Sequence, residues 1–325
     1  MSRKTIPILA RTHTDDQRLF LIEAKNTIYV RAVTGWFARW RWALVWLTQA
    51  VFYGLPWLAW HDRQAVLFDL ETQRFFLFGL VLYPQDLIYL AVLLMLAALL
   101  LFFVTAVAGR VWCGFACPQT VYTQIFLWVE RLTEGQHQAR KRLDARPWGP
   151  EKLARKSAKQ LLWLGISLWT GFTFVGYFTP IHSLAGALPT LVLGPWESFW
   201  IGFYGLATYV NAGFLREQLC KHACPYARFQ GAMMDRDTLV IGYDSARGES
   251  RGSRPRHADP KTLGLGDCID CTLCVQVCPT GIDIRNGLQS NCIACAACID
   301  VCDTVMAQMN YPKGLVRYTT QNALD

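Results

Sequence analysis

An α-helical membrane protein, its four transmembrane helices arranged as two hairpins and followed by a small cysteine-rich α+β domain, is the fold class that three observations predict. Four long stretches of the chain carry no charge. Basic residues avoid the loops between alternate stretches. All twelve cysteines fall into clusters at metal-ligand spacing.

The apolar stretches are Ala43–Trp60, Leu87–Ala108, Leu161–Phe178 and Ser198–Leu215, in a chain that is 53% hydrophobic and 17% charged. Each is about the length a helix needs to cross roughly 30 Å of hydrocarbon. A buried core helix is the alternative for the last two. Lys and Arg number 8 in residues 1–42, 10 in 109–160 and 12 in 216–325, whereas the loops 61–86 and 179–197 hold only Arg63 and Arg74. Positive charge beside a span marks the cytoplasmic side. Both ends of this chain and all its cysteines are therefore expected at the cytoplasmic face of a bacterial inner membrane, multi-pass. The net charge of +8 then reflects this bias and contact with anionic lipid; nothing else in the sequence speaks for nucleic acid. Residues 1–30 show no apolar core of a cleaved leader, and a reducing compartment argues against a disulfide framework.

These features divide the chain. Residues 1–42 form a cytoplasmic N-terminal segment and 43–108 the first membrane hairpin. Residues 109–160 hold a C-x-x-x-C-P motif, an amphipathic helix (Val121, Ile125, Trp128, Val129 and Leu132 at helical spacing) and a basic segment (Arg140, Lys141, Arg142, Arg146) placed against lipid headgroups. The second hairpin is 161–215 and the second C-x-x-x-C-P segment 216–243. Residues 244–262, rich in Arg, Gly, Ser and Pro, read as a mobile tether. A ferredoxin domain spans 263–308, and 309–325 is a polar tail with the abrupt end of a cut chain.

Within 263–308 the ligand run of a bacterial ferredoxin is written twice: Cys268-x-x-Cys271-x-x-Cys274-x-x-x-Cys278-Pro279, then Cys292-x-x-Cys295-x-x-Cys298-x-x-x-Cys302. Three thiolates come from each tight loop and the fourth from the other motif. Cys268, Cys271, Cys274 and Cys302 are thus assigned to one [4Fe-4S] cluster, and Cys292, Cys295, Cys298 and Cys278 to a second. The domain is a small α+β bacterial-type two-cluster ferredoxin. Zinc sites more often show separated C-x-x-C pairs. Asp303 stands where a proline is common, which alters the turn rather than ligation. Ala294, Ala296 and Ala297 leave room for a cube, and Ile269, Leu273, Ile282, Ile284 and Ile293 are expected to screen it.

The other four cysteines form Cys113-x-x-x-Cys117-Pro118 and Cys220-x-x-x-Cys224-Pro225, offset by 107 residues, so the hairpins behave as an internal repeat. Proline belongs in the first turn of a helix, so each motif should open a surface helix whose dipole lowers a thiol pKa. Thiolates bind soft metals. Cys113, Cys117, Cys220 and Cys224, with His222 as a further candidate, could converge on one site. It would be a transient copper site, a third metal centre or a redox dithiol; small buried residues packing a helix end is the bland reading. His61 and His182, near the outer loops, are weaker candidates for touching a quinone or metal. Met306 and Met309 read as packing, and Trp112 and Trp128 as interfacial anchors.

The run Gly109-Arg-Val-Trp-Cys113-Gly-Phe-Ala-Cys117-Pro-Gln-Thr-Val-Tyr resembles the CcoG/FixG/RdxA family of accessory proteins of cbb3-type cytochrome c oxidase. So do Cys220-Lys-His-Ala-Cys224-Pro-Tyr-Ala-Arg-Phe-Gln, the double ferredoxin motif and Tyr311-Pro-Lys-Gly-Leu-Val-Arg-Tyr. The resemblance implies a membrane polyferredoxin, an oxidoreductase that reduces Cu(II) to Cu(I) for building the oxidase copper centre, with Cys113, Cys117, Cys220 and Cys224 carrying the copper chemistry. It implies as partners the oxidase assembly and copper-delivery proteins, together with an electron donor it does not identify. The resemblance implies a further membrane helix and a periplasmic immunoglobulin-like domain beyond residue 325. Two other functions fit the residues: a quinol-linked electron-transfer subunit of a respiratory reductase, and a non-redox copper chaperone.

Overall fold

The computed structural model describes residues 28–189, 192–256, 258 and 262–324; expectations for residues 1–27 lie outside them. In chain order, α1 (Trp36–Gly54) leads to a three-stranded antiparallel sheet of β1 (Val66–Asp69), β2 (Arg74–Leu77) and β3 (Leu80–Leu82). Then come α2 (Leu87–Ala108), α3 (Val111–Phe115), α4 (Pro118–Glu134), α5 (His137–Ala145), α6 (Pro150–Val175), α7 (Ile181–Ala187) and α8 (Pro195–Val210). Two wide π turns, Asn211–Leu215 and Leu219–Ala223, precede α9 (Pro225–Met233). The remainder is β4 (Val240–Tyr243), α10 (Leu273–Gln276), α11 (Ala297–Met309) and β5 (Val316–Thr319).

Helices thus stand at all four predicted spans. Among the described residues one of them, Pro84–Ala108, is long and apolar enough to cross a membrane, and its most apolar 18-residue stretch is bare of protein. α1 is interrupted by Arg39 and Arg41, α6 opens with a basic first half, and α8 has 16 residues before its π turn. Of the two expected hairpins, α6 and α8 pack side by side. Gly171 lets them approach, since a Cβ there would stand 2.9 Å from the backbone nitrogen of Gly205. The first pair is arranged otherwise. α1 turns its polar side to α6, with Tyr53 Oη 2.8 Å from Thr170 Oγ1 and Tyr177 Oη donating to the Phe52 carbonyl at 2.8 Å. α2 is held at its C-terminal end, where the Thr238 hydroxyl donates to the Ala106 carbonyl (2.9 Å) and Leu239 N–H to that of Val107 (3.1 Å).

The β1–β3 sheet occupies the loop after α1, where strands of three or four residues leave no mark in a pattern of apolar spans. Buried Gln64 ties this region to the loop after α6. It donates to the Gly176 carbonyl at 2.7 Å and accepts from Ile181 N–H at 3.0 Å.

The cluster domain is larger than residues 263–308. β4 pairs antiparallel with β5, Val240 opposite Thr319 and Tyr243 opposite Val316, and both pack on α11 in one core with Ile241, Met306, Met309 and Leu315. The expected tether is therefore anchored over residues 244–256, while residues 257 and 259–261 lie outside the described residues. Gly252 N–H reaches the Cys268 carbonyl at 3.2 Å, Gly266 N–H that of Ser250 at 2.9 Å, and Arg254 donates to Tyr311 Oη at 3.0 Å. The polar tail likewise contributes a strand. Charged residues there form local ion pairs, such as Arg247 with Asp267 and Arg317 with Asp244, instead of solvating a free chain.

The basic segment is also only partly as expected. Lys141, Arg142 and Arg146 are exposed, but Arg140 is buried against Glu130 of α4. The inner face of α4 combines Val121, Phe126 and Val129 with Glu130 and Glu134, whose charges are met by Arg140, Lys156, Lys159 and Arg216. Trp128 and Leu132 point outward.

Candidate metal centres

The two ferredoxin loops repeat one backbone conformation. The residues flanking the central cysteine of each loop, Asp270 and Thr272, then Ala294 and Ala296, all have φ between 53° and 58°. Left-handed residues spaced in this way can turn successive amides to one side, a cradle for an anion. Cys268, Cys271, Cys274 and Cys302 line one cavity with Ile269 and Leu273 around it. Cys278, Cys292, Cys295 and Cys298 line another, with Ile282, Ile284 and Ile293. Each cavity thus receives its fourth thiol from the other motif. Thr280 Oγ1 lies 3.2 Å from Cys278 Sγ, the kind of outer contact that tunes a ligand. Burial drives three of these thiols toward the neutral form: Cys274 is pushed up to about 11, and Cys292 and Cys302 to about 12. Loading a cluster therefore releases protons. The first, outer site has exposed Cys271; in the second, inner site Cys295 is buried.

The paired C-x-x-x-C-P motifs share backbone features at their 107-residue offset. Gly109 and Arg216 both take positive φ. Cys117 N–H reaches five residues back to the Trp112 carbonyl at 3.0 Å, and Cys224 N–H to that of Leu219 at 2.8 Å. Each wide turn closes on a cysteine N-cap followed by the proline that opens α4 or α9. Cys113, Cys117, Cys220 and Cys224 line a single cavity of about 80 Å³ with Arg110, Thr120 and Ile293. Fully buried Gln230 donates to Cys113 Sγ at 3.3 Å. The helix-start argument for a lowered thiol pKa does not extend to the other two cysteines of the motifs. Burial raises Cys113 and pushes Cys220 up to about 12.

His222 is exposed and outside that cavity, because the turn that aims Cys220 and Cys224 inward directs the residue between them out. His61 sits at a turn against Trp60, and His182 packs edge-on to Trp57. Among the described residues no three His, Cys, Asp or Glu side chains close to the spacing of a single ion.

The inner ferredoxin loop and the four-cysteine cavity share a wall. A Cβ at Gly114, between Cys113 and Cys117, would meet the carbonyls of Ile293 and Ala294 at 2.7 and 2.8 Å. Arg110 bridges the Ala227 carbonyl (2.7 Å) and the Ser290 carbonyl, joining α9 to the loop of Cys292. Arg110, Gly114 and Gln230 lie within the runs that carry the family resemblance, but ligand spacing alone does not single them out.

Eight thiols around two cavities, with an apolar shell, fit two [4Fe-4S] clusters, and the protein so defined is an iron–sulfur electron-transfer protein. Residues 215–321 match the family described as a 4Fe-4S dicluster domain, and residues 90–134, which include Cys113 and Cys117, the family described as a 4Fe-4S binding domain. The proteins that the chain matches are consistent with the CcoG/FixG/RdxA family. It is 42% identical over 306 residues to nitrogen fixation protein FixG of Rhizobium meliloti (strain 1021), covering 92% of this chain and 58% of that protein. It is 44% identical to protein RdxA of Cereibacter sphaeroides over 92% of this chain and 63% of the relative, and 43% identical to its protein RdxB over 94% and 65%. The chain spans less than two thirds of the length of these relatives. No solved structure matches it.

Proposed function

We propose that this chain is a multi-pass protein of the bacterial inner membrane that passes electrons from its two clusters to Cu(II) at Cys113, Cys117, Cys220 and Cys224, serving assembly of a cbb3-type oxidase. The observation that carries this reading is the shared wall between the inner cluster loop and the four-thiol cavity at Gly114 and Arg110. Soft thiolates select Cu(I) over Cu(II), so the pocket favours the product of a one-electron reduction. Each electron supplied by an external low-potential donor converts one Cu(II) to Cu(I) and leaves the donor oxidised by one electron. The bare apolar stretch within Pro84–Ala108 supports a membrane location, and the outward-facing Trp46, Leu47, Leu161, Trp196 and Phe199 extend that surface to α1, α6 and α8. The partners on this reading are membrane lipid, the oxidase's assembly and copper-delivery proteins, and the donor.

A second reading, that the four thiols hold a third cluster, is favoured by the 4Fe-4S match over residues 90–134. Iron and copper counts on anaerobically purified protein separate the two. About eight irons with bound Cu(I) supports copper, and about twelve irons supports a third cluster.

A further inference from the structure

Arg41 on α1 is 7% exposed, its Nε has no hydrogen-bond partner, and no carboxylate pairs it among the described residues. It lines one cavity together with Cys295 of the inner cluster site and Cys220 of the four-thiol site. A buried cation is costly unless an opposite charge meets it. Arg110, 9% exposed, lines the four-thiol cavity beside the Cys292 loop and, among the described residues, bonds to the carbonyls of Ser290 and Ala227. The outer site differs. Its nearby Arg285 is already neutralised by Asp283, at 2.7 Å, and by Asp270.

We propose that Arg41 is the counter-charge of the inner cluster, the one held by Cys278, Cys292, Cys295 and Cys298, and that it raises that cluster's reduction potential so that electrons entering at the exposed outer site pass inward. A thiolate-ligated cluster is anionic and gains one further negative charge on reduction. A fixed cation therefore stabilises the reduced form more than the oxidised one. The same attraction supplies the partner that buried Arg41 lacks among the described residues. This inference rests on the two clusters and is independent of what the four membrane-face thiols bind.

Potentiometric titration of the full chain in detergent, read by paramagnetic resonance, tests it. Two one-electron steps are expected. Arg41→Gln should lower one step by about tenfold in the reduced-to-oxidised ratio at fixed potential, about 59 mV for a one-electron couple, and leave the other in place. Arg41→Lys, which keeps the charge, should restore most of the shift, and Arg285→Gln should move the other step. If Arg41→Gln fails to load about eight irons, Arg110→Gln is titrated instead and must lower the same step. The proposal is overturned if neither step moves, if both move equally, or if Arg41→Lys shifts as far as Arg41→Gln.

Discussion

The Asp300 carboxylate accepts the backbone N–H of Ala38 at 2.7 Å and that of Phe37 at 3.2 Å, so a residue between two cluster ligands caps the first long helix from 262 positions away. The cluster domain is thereby fastened to α1, one turn from Arg41. Gly35 is required at the entry, since any side chain there would collide with Asp300.

Asp300→Ala should remove this cap and leave two amides without a partner. A lost cap costs about 1 kcal/mol, and a bond to a charged group up to about 3. Thermal unfolding of the iron-loaded protein should fall by a few degrees, with proteolysis near residues 28–35 increased.

Gly114→Ala should push the C-x-x-x-C-P turn off the inner ferredoxin loop. The new Cβ meets backbone carbonyls at 2.7 and 2.8 Å, which cannot rotate away. Destabilisation of about 1–3 kcal/mol is expected, with the resonance of one cluster altered and that of the other unchanged.

Gln230→Leu should leave the volume near Cys113 filled but delete the hydrogen bond to its sulfur. Loss of such outer contacts typically weakens metal binding by about 10–100-fold. Copper or third-cluster occupancy should drop while the two ferredoxin clusters stay loaded.

The Asp144–Lys156 pair at 2.6 Å sets a pH dependence. Burial opposes the charge on Asp144, but the Lys156 ammonium and Tyr29 hydroxyl hold its pKa below the ordinary value. Burial likewise opposes the charge on Lys156, and bonds to Asp144 and Glu134 hold its pKa above. A depressed carboxylate stabilises the fold above its unfolded pKa, about 4, and this is lost as pH falls through the folded value. The lysine's contribution is lost only as pH rises past its own elevated pKa. Asp144→Asn should therefore flatten the acid limb of a stability–pH profile and leave neutral-pH stability lowered by less than about 1 kcal/mol, since the pair is partly solvated.

The cysteine framework was legible because ligand geometry leaves few options. A C-x-x-C-x-x-C loop must wrap one cube, and a distant fourth thiol must close it. The helices behind Pro118 and Pro225 followed from the same local logic. The β4–β5 pair was not legible, since Val240–Tyr243 and Val316–Thr319 are four residues each and gain a partner only in the folded domain. Nor were the buried charges. Glu130, Glu134, Arg140 and Arg41 carry no sequence mark that separates them from solvated neighbours such as Lys141 and Arg142. The α1–α6 pairing escaped for a related reason: hairpin logic joins consecutive spans, while Tyr53 and Thr170 join alternate ones.

The central claim is that electrons leave the ferredoxin clusters for copper through Cys113, Cys117, Cys220 and Cys224. Its most direct test mixes dithionite-reduced protein with Cu(II) anaerobically and follows cluster reoxidation and Cu(I) capture by a chelator together. In the wild type the two should run in step. With all four cysteines changed to Ala and about eight irons retained, Cu(I) formation should collapse while the clusters stay reduced. Unchanged copper reduction in that variant would contradict the account.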